Sequence, residues 1–574
     1  MLTHVSREFE RKFVPLKLDF ASWKNIQPLF ESLEARTLNS VGDLENWILD
    51  RSELMDVLGE EGALRYIRMT CDTENKELEA AYFHFLEEIS ENMKAADDRL
   101  RRKLLGHPML RDLPLERYEV LIRRFRNELE LFRDENVPLE TEESKFSQQY
   151  QKLAGSLTVQ FEGREQTLQQ MSRYLELPDR NLRHRAWQAV VERRLAERDT
   201  FEGIFDDLLG LRIRIARNAG FKNYRDYAFK SRERFDYTVE DCLRFHDAVE
   251  ETIVPLARKL DERRASAMNV HPLRPWDMSV DPLNRPPLRP FERVDQLVAR
   301  CREIVQRISP RFGAFADSMN RHNLLDLESR KAKAPGGYQS SLTESRLPFI
   351  FMNAVGLDGD VRTLLHEFGH AFHVFATRHL SIGEYRHAPL EFCEVASMSM
   401  ELLGGEFLSI FYADPAEERR SRKRHLEGVI DILPWIAQVD AFQHWIYTHA
   451  EHSVQQREDA WQNLYQRFGG LEDWTGLEQA RRSSWHRQLH IFELPFYYIE
   501  YAIAQLGALQ VWIRAKTDLV GAVEEYWNAL QLGGSRPLPE LFRKAGIRFD
   551  FRPEVLKPLM DAVGEELDKL ADYD

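Results

Sequence analysis

Along most of the 574 residues, apolar positions recur three and four apart among charged ones, the spacing of a single buried helix face. Leu44–Leu58 and Lys76–Met93 show it plainly, the second with Leu78, Tyr82, Phe83, Phe85 and Ile89 among acids and lysines. Arg198 opens another helix that runs through Leu208, Leu209 and Leu211 to Arg217, with Gly220 placed to close it. The last helices predicted are Val523–Leu530 and Pro553–Leu570. No fixed-period repeat organises these segments, which argues against a solenoid. Six prolines in 270–291 preclude a helix there and predict an extended connector. The convincing strand signal is 335–353, PGGYQSSLTESRLPFIFMN, where Leu347–Met352 is a short apolar run. Pro348 lacks an N–H, so this run suits a sheet edge better than a centre. The pattern as a whole predicts a mainly α protein with a small β-sheet, an N-terminal helical lobe over 1–165 and a second region over 166–574.

One stretch departs from ordinary amphipathic helix. In 358–377 the residues Val361, Leu364, Leu365, Phe368, Phe372 and Phe375 form one apolar stripe. At about 100° per residue, His366, His370 and His373 fall roughly 120–180° away from it, as residues lining a cleft would. Asp358 or Asp360 suits the helix start, and Arg378 and Gly383 suit its end. His366-Glu367-Phe368-Gly369-His370 is an H-E-x-x-H pentapeptide: two imidazoles on one face can grip one Zn²⁺, and Glu367 can take a proton from a water activated there. Pro389 can open the next helix. Residues 390–403 are apolar nearly all round yet carry Glu391, Glu394 and Glu401, and buried carboxylates are costly unless paired or metal-bound. Glu394 and Glu401 lie seven apart on nearly one face. One carboxylate on the ion and another bonded to a ligand imidazole would satisfy both, and geometry alone does not choose which is which. His373 reads as packing or as a support for a ligand, Cys393 as a buried thiol, and His379 and His387 as parts of the connecting loop.

Composition narrows the setting. Hydrophobic residues make up 43% and charged residues 30%, as in an ordinary globular protein. A net charge of −15 argues against nucleic acid as the main partner. The N-terminal MLTHVSREFERKF has no apolar core of signal-peptide length, and no segment reaches membrane-spanning length. Cys71, Cys242, Cys301 and Cys393 are far apart and form no C-x-x-C pair, which fits reduced thiols in the cytoplasm. The expectation is a cytoplasmic protein with no membrane partner, its oligomeric state open.

The run HEFGHAFH, followed by EFCEVASMSMEL, resembles the thimet oligopeptidase and oligoendopeptidase F family of zinc peptidases. The likeness extends upstream through GGYQSSLTESRLPFIFMN, with Gly337 and Tyr338, and downstream through HIFELPFYYIEYAIAQLGALQVW. It implies His366, His370 and Glu394 as ligands of one Zn²⁺, Glu367 as general base and Glu401 as the acid that orients a ligand histidine. It also implies that His490 and tyrosines among Tyr497, Tyr498 and Tyr501, on a helix opened by Pro495, hold substrate and stabilise the oxyanion. Gly337 and Tyr338 would support the site or meet substrate. The fold implied is two helical lobes enclosing a deep channel, with a small sheet beside the zinc helix that could take an extended peptide as an added strand. Two positions depart from the family pattern: Leu494 stands where some relatives have Tyr, and Gln339 where many have Cys.

The function expected is a zinc oligoendopeptidase that hydrolyses internal bonds of short unfolded peptides. Two rivals use the same residues: a zinc exopeptidase, such as a carboxypeptidase or dipeptidase, and a non-catalytic peptide-binding protein with structural zinc. A structural site closes with a fourth ligand and has little use for Glu367.

Overall fold

The computed structural model describes residues 9–571. Helices dominate, with one two-stranded and one three-stranded sheet among the described residues. The chain divides into two compact units. Among the described residues the first takes 9–129, 289–418 and 504–549; the second takes 130–288, 419–503 and 550–571.

In the first unit the N-terminal helices are longer than the pattern predicts. Val41–Cys71 is a single helix started by Ser40, whose hydroxyl accepts from the Asp43 N–H. Lys76–His84 continues through a π-helical turn, Phe85–Ser90, into Glu91–Leu105. Leu44, Trp47, Ile48 and Leu58 meet Phe30, Leu33, Leu100 and Leu104 in one apolar core. Arg51, buried in it, donates to both oxygens of Asp97 at 2.7 and 2.8 Å and to Glu384, so its charge is matched within the core.

The same unit holds the three-stranded sheet of β3 (Leu325–Glu328), β4 (Tyr338–Leu342) and β5 (Leu347–Ala354), in the order β3-β5-β4. The expected edge strand is therefore central: β5 lies parallel to β3 and antiparallel to β4. Pro348 is tolerated because pairing with β3 begins only at Ile350, whose N–H reaches the Leu324 carbonyl at 2.9 Å. N–H groups two apart point the same way, so the missing one at Pro348 faces the space before β3 starts. The open edge passes to β4.

The second unit contains a hairpin of β1 (Thr158–Phe161) and β2 (Arg164–Thr167) inside the stretch expected to be helical. Glu162 and Gly163 both have positive φ, +50° and +75°, the turn whose twist matches paired strands. The helix Arg198–Asn218 closes as expected, with Gly220 at φ +87°. The proline-rich connector is less open than expected. Pro275–Asp277 forms one 3₁₀ turn that buries Trp276 against His184 and Trp187. Asp277, wholly buried, accepts from Arg183 at 2.9 Å and Arg180 at 2.7 Å.

Candidate metal centre

In the first unit the helix Asp358–Thr377, here the motif helix, packs on Leu390–Gly404, the carboxylate helix. Neither expected aspartate is the N-cap residue, which is Leu357. Asp360 instead reaches back to accept the Val355 and Leu357 N–H groups at 2.8 and 2.9 Å, and Asp358 accepts from the Tyr412 hydroxyl at 2.6 Å. Pro389 does precede the carboxylate helix. The apolar stripe forms ring stacks, Phe372 on Phe312 at 4.7 Å and Phe375 on Phe315 at 4.4 Å. Those stacks fix the rotation of the motif helix and turn His366 and His370 toward the second helix.

His366 Nε2 lies 3.2 Å from His370 Nε2 and 3.4 Å from Glu394 Oε2, and His370 Nε2 lies 3.7 Å from the same oxygen. Donors about 2.0–2.1 Å from a tetrahedral ion are separated by about 3.4 Å, so the three atoms mark three corners around one cation. Among the described residues these side chains form one of two groups with metal-ligand chemistry. Three protein donors leave a corner for water or substrate, the pattern of a catalytic centre.

The neighbours prepare each donor. His366 Nδ1 and Glu401 Oε1 are 2.7 Å apart, and a carboxylate only accepts. The His366 proton therefore sits on Nδ1 and the Nε2 lone pair points to the ion position. Ser397 donates to Glu394 Oε2 at 3.0 Å and steadies the third donor. Burial works against a charged His366, yet Glu394 and Glu401 together hold its pKa well above the ordinary value, so the pocket attracts positive charge. Burial sends His370 the other way, down to about 4, which keeps its ring an uncharged donor.

Glu367 points inward beside this group. It is 7% exposed, and its Oε2 has no hydrogen-bond partner. Burial, aided by the charges of Glu394 and Glu401 and opposed by His366, raises its pKa to about 7. Glu391 is also buried but lies outside the three-donor group. His373 was placed by spacing on the metal face; it is 5% exposed, lies edge-on to Phe392 at 6.2 Å, and belongs to the packing. Cys393 is partly buried and outside the group, and His379 Nδ1 lies 2.9 Å from the Ala376 carbonyl oxygen. Gly337 and Tyr338 sit at the start of β4. Tyr338 stacks on Phe351 at 4.8 Å, and its hydroxyl is 2.6 Å from Thr70 Oγ1, an anchored position.

The second unit brings together His490, Tyr497, Tyr498 and Tyr501. Ring centres of the three tyrosines lie 5.6, 4.6 and 6.0 Å from the imidazole. The expected helix from Pro495 is broken: Leu489–Glu493 ends, Phe496 takes a left-handed φ of +64°, and the long helix starts at Ile499. Tyr497 and Tyr498 thus stand on a turn and only Tyr501 on the helix. Residues the sequence reading passed over hold that turn. The Phe496 N–H donates to Gln443 Oε1 at 2.7 Å, its carbonyl accepts from Arg234, and the Pro495 carbonyl accepts from Arg232 at 2.6 Å. Upstream, the buried Arg212 donates to the Ile491 carbonyl at 3.2 Å and also to that of Phe492. These arginines have no local sequence signal; only the three-dimensional path of the chain pairs them with those carbonyls.

The other group with metal-ligand chemistry is Cys242, Asp440 and His444, also in the second unit. There His246 Nε2 lies 2.8 Å from Asp440 Oδ2 and His444 Nε2 lies 3.2 Å from it, while burial, with the Asp440 charge, pushes the Cys242 thiol well up against the opposing pull of Arg234. The Arg234 guanidinium supplies a positive charge nearby and both imidazoles approach the carboxylate, so this cluster reads as a buried polar support.

The description of peptidase family M3 matches residues 173–560, and that of the peptidase M3 N-terminal domain matches 13–132. The chain belongs to peptidase family M3. Oligopeptidase PepF of Bacillus subtilis (strain 168) is 26% identical over 254 residues, 43% of this chain and 37% of that one. The match therefore spans little more than a third of the relative's length. Solved structures agree over nearly the whole chain. PZ peptidase A with an inhibitor has 30% identity and a TM-score of 0.88, covering 98% of this chain and 100% of the other. A structure described as an oligoendopeptidase F has 30% identity and a TM-score of 0.87, covering 98% and 99%. The mainly α fold and the resemblance read from the sequence are thereby borne out.

Proposed function

We propose that this M3 protein is a zinc-dependent endopeptidase of short, unfolded peptides, with its catalytic region in 166–574. The observation that carries the proposal is the inward, unpartnered carboxylate of Glu367 beside three donor atoms 3.2–3.7 Å apart. His366, His370 and Glu394 would hold the ion. The donor set of two imidazoles and one carboxylate fits Zn²⁺. When bound, the ion supplies Lewis-acid polarisation of the scissile carbonyl and of the attacking water.

The chain's own groups do the rest. Glu367 takes a proton from the attacking water and gives it to the departing amine nitrogen, a shuttle suited to a carboxylate lifted toward neutrality. Glu401 keeps the His366 proton on Nδ1 throughout. His490, with Tyr497 or Tyr501, donates hydrogen bonds to the oxygen on which negative charge develops. Tyr498 packs beside the imidazole. β4, open on one side of its sheet, can pair with an extended substrate through main-chain hydrogen bonds that are indifferent to sequence. Gly337 and Tyr338 stand at the start of that strand.

Among the described residues no helix is long and apolar enough to cross a membrane, and all four cysteines are free. Both fit the proposed work on cytoplasmic oligopeptides. The test is an internally quenched peptide blocked at both ends, incubated with metal-loaded enzyme. Cleavage at an internal bond is expected. Shortening of free-ended peptides only, with the blocked peptide left intact, would replace the endopeptidase with an exopeptidase.

A further inference from the structure

We propose that Trp435 and Gln488 are positioning residues that hold His490 in the tautomer with its proton on Nε2, so that the imidazole presents a donor to the substrate carbonyl. The inference rests on the reading above that His490 meets substrate.

The argument follows from what each atom can do. An indole N–H only donates. Trp435 Nε1 lies 3.0 Å from one end of the Gln488 amide, so that end must be the oxygen. This removes the usual ambiguity of an amide side chain. The other end is then the NH₂ group, which also only donates. It lies 2.7 Å from His490 Nδ1, so Nδ1 must be the acceptor. An uncharged imidazole that accepts at Nδ1 carries its proton on Nε2. Charging the ring would set N–H against N–H, and burial together with Arg232 already pushes the His490 pKa down to about 4.

The relay is built into well-anchored parts. Trp435 follows Pro434 in the helix Pro415–Thr448, lies edge-on to Trp461 at 5.5 Å and is covered by the Arg487 guanidinium at 4.5 Å. Gln488 is the residue before the short helix Leu489–Glu493, so its backbone is fixed by the start of that helix. His366 makes the contrast. There a carboxylate partner puts the proton on Nδ1 and frees Nε2 as a ligand; at His490 an amide donor does the reverse. A lone pair at Nε2 would repel a developing oxyanion, whereas an N–H stabilises it.

The test uses the full-length, metal-loaded protein with ¹⁵N-labelled histidine, assigning His490 by its loss in His490→Phe. At neutral pH the His490 Nδ1 signal should be that of an unprotonated ring nitrogen and Nε2 that of an N–H. Gln488→Glu replaces the donor with an acceptor. It should move the proton to Nδ1, lower kcat about 10²-fold at unchanged metal content, and introduce a new ionisation in the pH profile as the carboxylate favours the imidazolium. Gln488→Met, with no polar group, should lose less than Gln488→Glu. A wild-type spectrum with the proton on Nδ1 would overturn the proposal. So would wild-type kcat and pH profile in Gln488→Glu beside an inactive His490→Phe. Wild-type kcat in His490→Phe would instead remove the reading that His490 meets substrate, and the proposal with it.

Discussion

Gly369 approaches Ala396 so closely that a β-carbon on it would stand 2.5 Å from the Ala396 carbonyl oxygen. That oxygen is fixed by the Tyr526 hydroxyl at 2.8 Å and cannot easily give way. The glycine inside the H-E-F-G-H run therefore sets how near the two helices come, and with it the reach from His366 and His370 to Glu394. Gly369→Ala should force the helices apart, cost about 1–3 kcal/mol as overpacking does, and weaken metal binding. Thermal melting with and without chelator checks both. An alanine variant that melts and binds metal as the wild type does would show that the helices have slack.

In the proposed site Glu401 supports His366 and stands outside the three-donor group. Glu401→Ala leaves the His366 ring without its Nδ1 acceptor, so metal affinity should fall by about 10–100-fold, the usual cost of such a loss. Competition with a metal-sensitive chelator measures it. The fold, followed by circular dichroism, should be unchanged.

Asp277 supports the proline-rich connector rather than the site. Burial would raise its pKa, but hydrogen bonds from Arg180 and Arg183 hold it below the ordinary value. A depressed folded pKa stabilises the protein fully above the unfolded value of about 3.9, and this contribution disappears as pH falls through the folded value. Asp277→Asn breaks a buried ion pair and should cost about 3 kcal/mol at neutral pH. The melting-temperature gap to wild type should narrow steadily below about pH 4. A gap of constant size across that range would mean that the carboxylate charge is not what holds the turn.

The metal site was readable because its chemistry repeats on two local helical periods. His366 and His370 are four apart, Glu394 and Glu401 seven apart, and buried acids need a positive partner. What the spacing could not separate, a proposed metal ligand from an imidazole partner, the proposal assigns by which oxygen faces Nε2 and which faces Nδ1. For His373 the spacing left packing and ligand support open, because angular position on a helix does not say which neighbour covers that face; Phe392 does. The central position of β5 was hidden because Pro348 forbids a partner only where its N–H would have pointed. The turn at Phe496 was hidden for a different reason. Its left-handed backbone is imposed by Gln443, Arg232 and Arg234, residues far away in sequence, against the local preference of phenylalanine. The hairpin at 158–167 left only the Glu162-Gly163 pair as a trace.

The central claim is that Glu367 moves the proton while His366, His370 and Glu394 hold the metal. Glu367→Gln tests it most directly, with bound metal and turnover of a doubly blocked quenched peptide measured on the same sample. Metal content should equal that of the wild type, and kcat should fall by about 10²–10⁴-fold, the usual contribution of a general base. Wild-type turnover with the metal still bound would contradict the account.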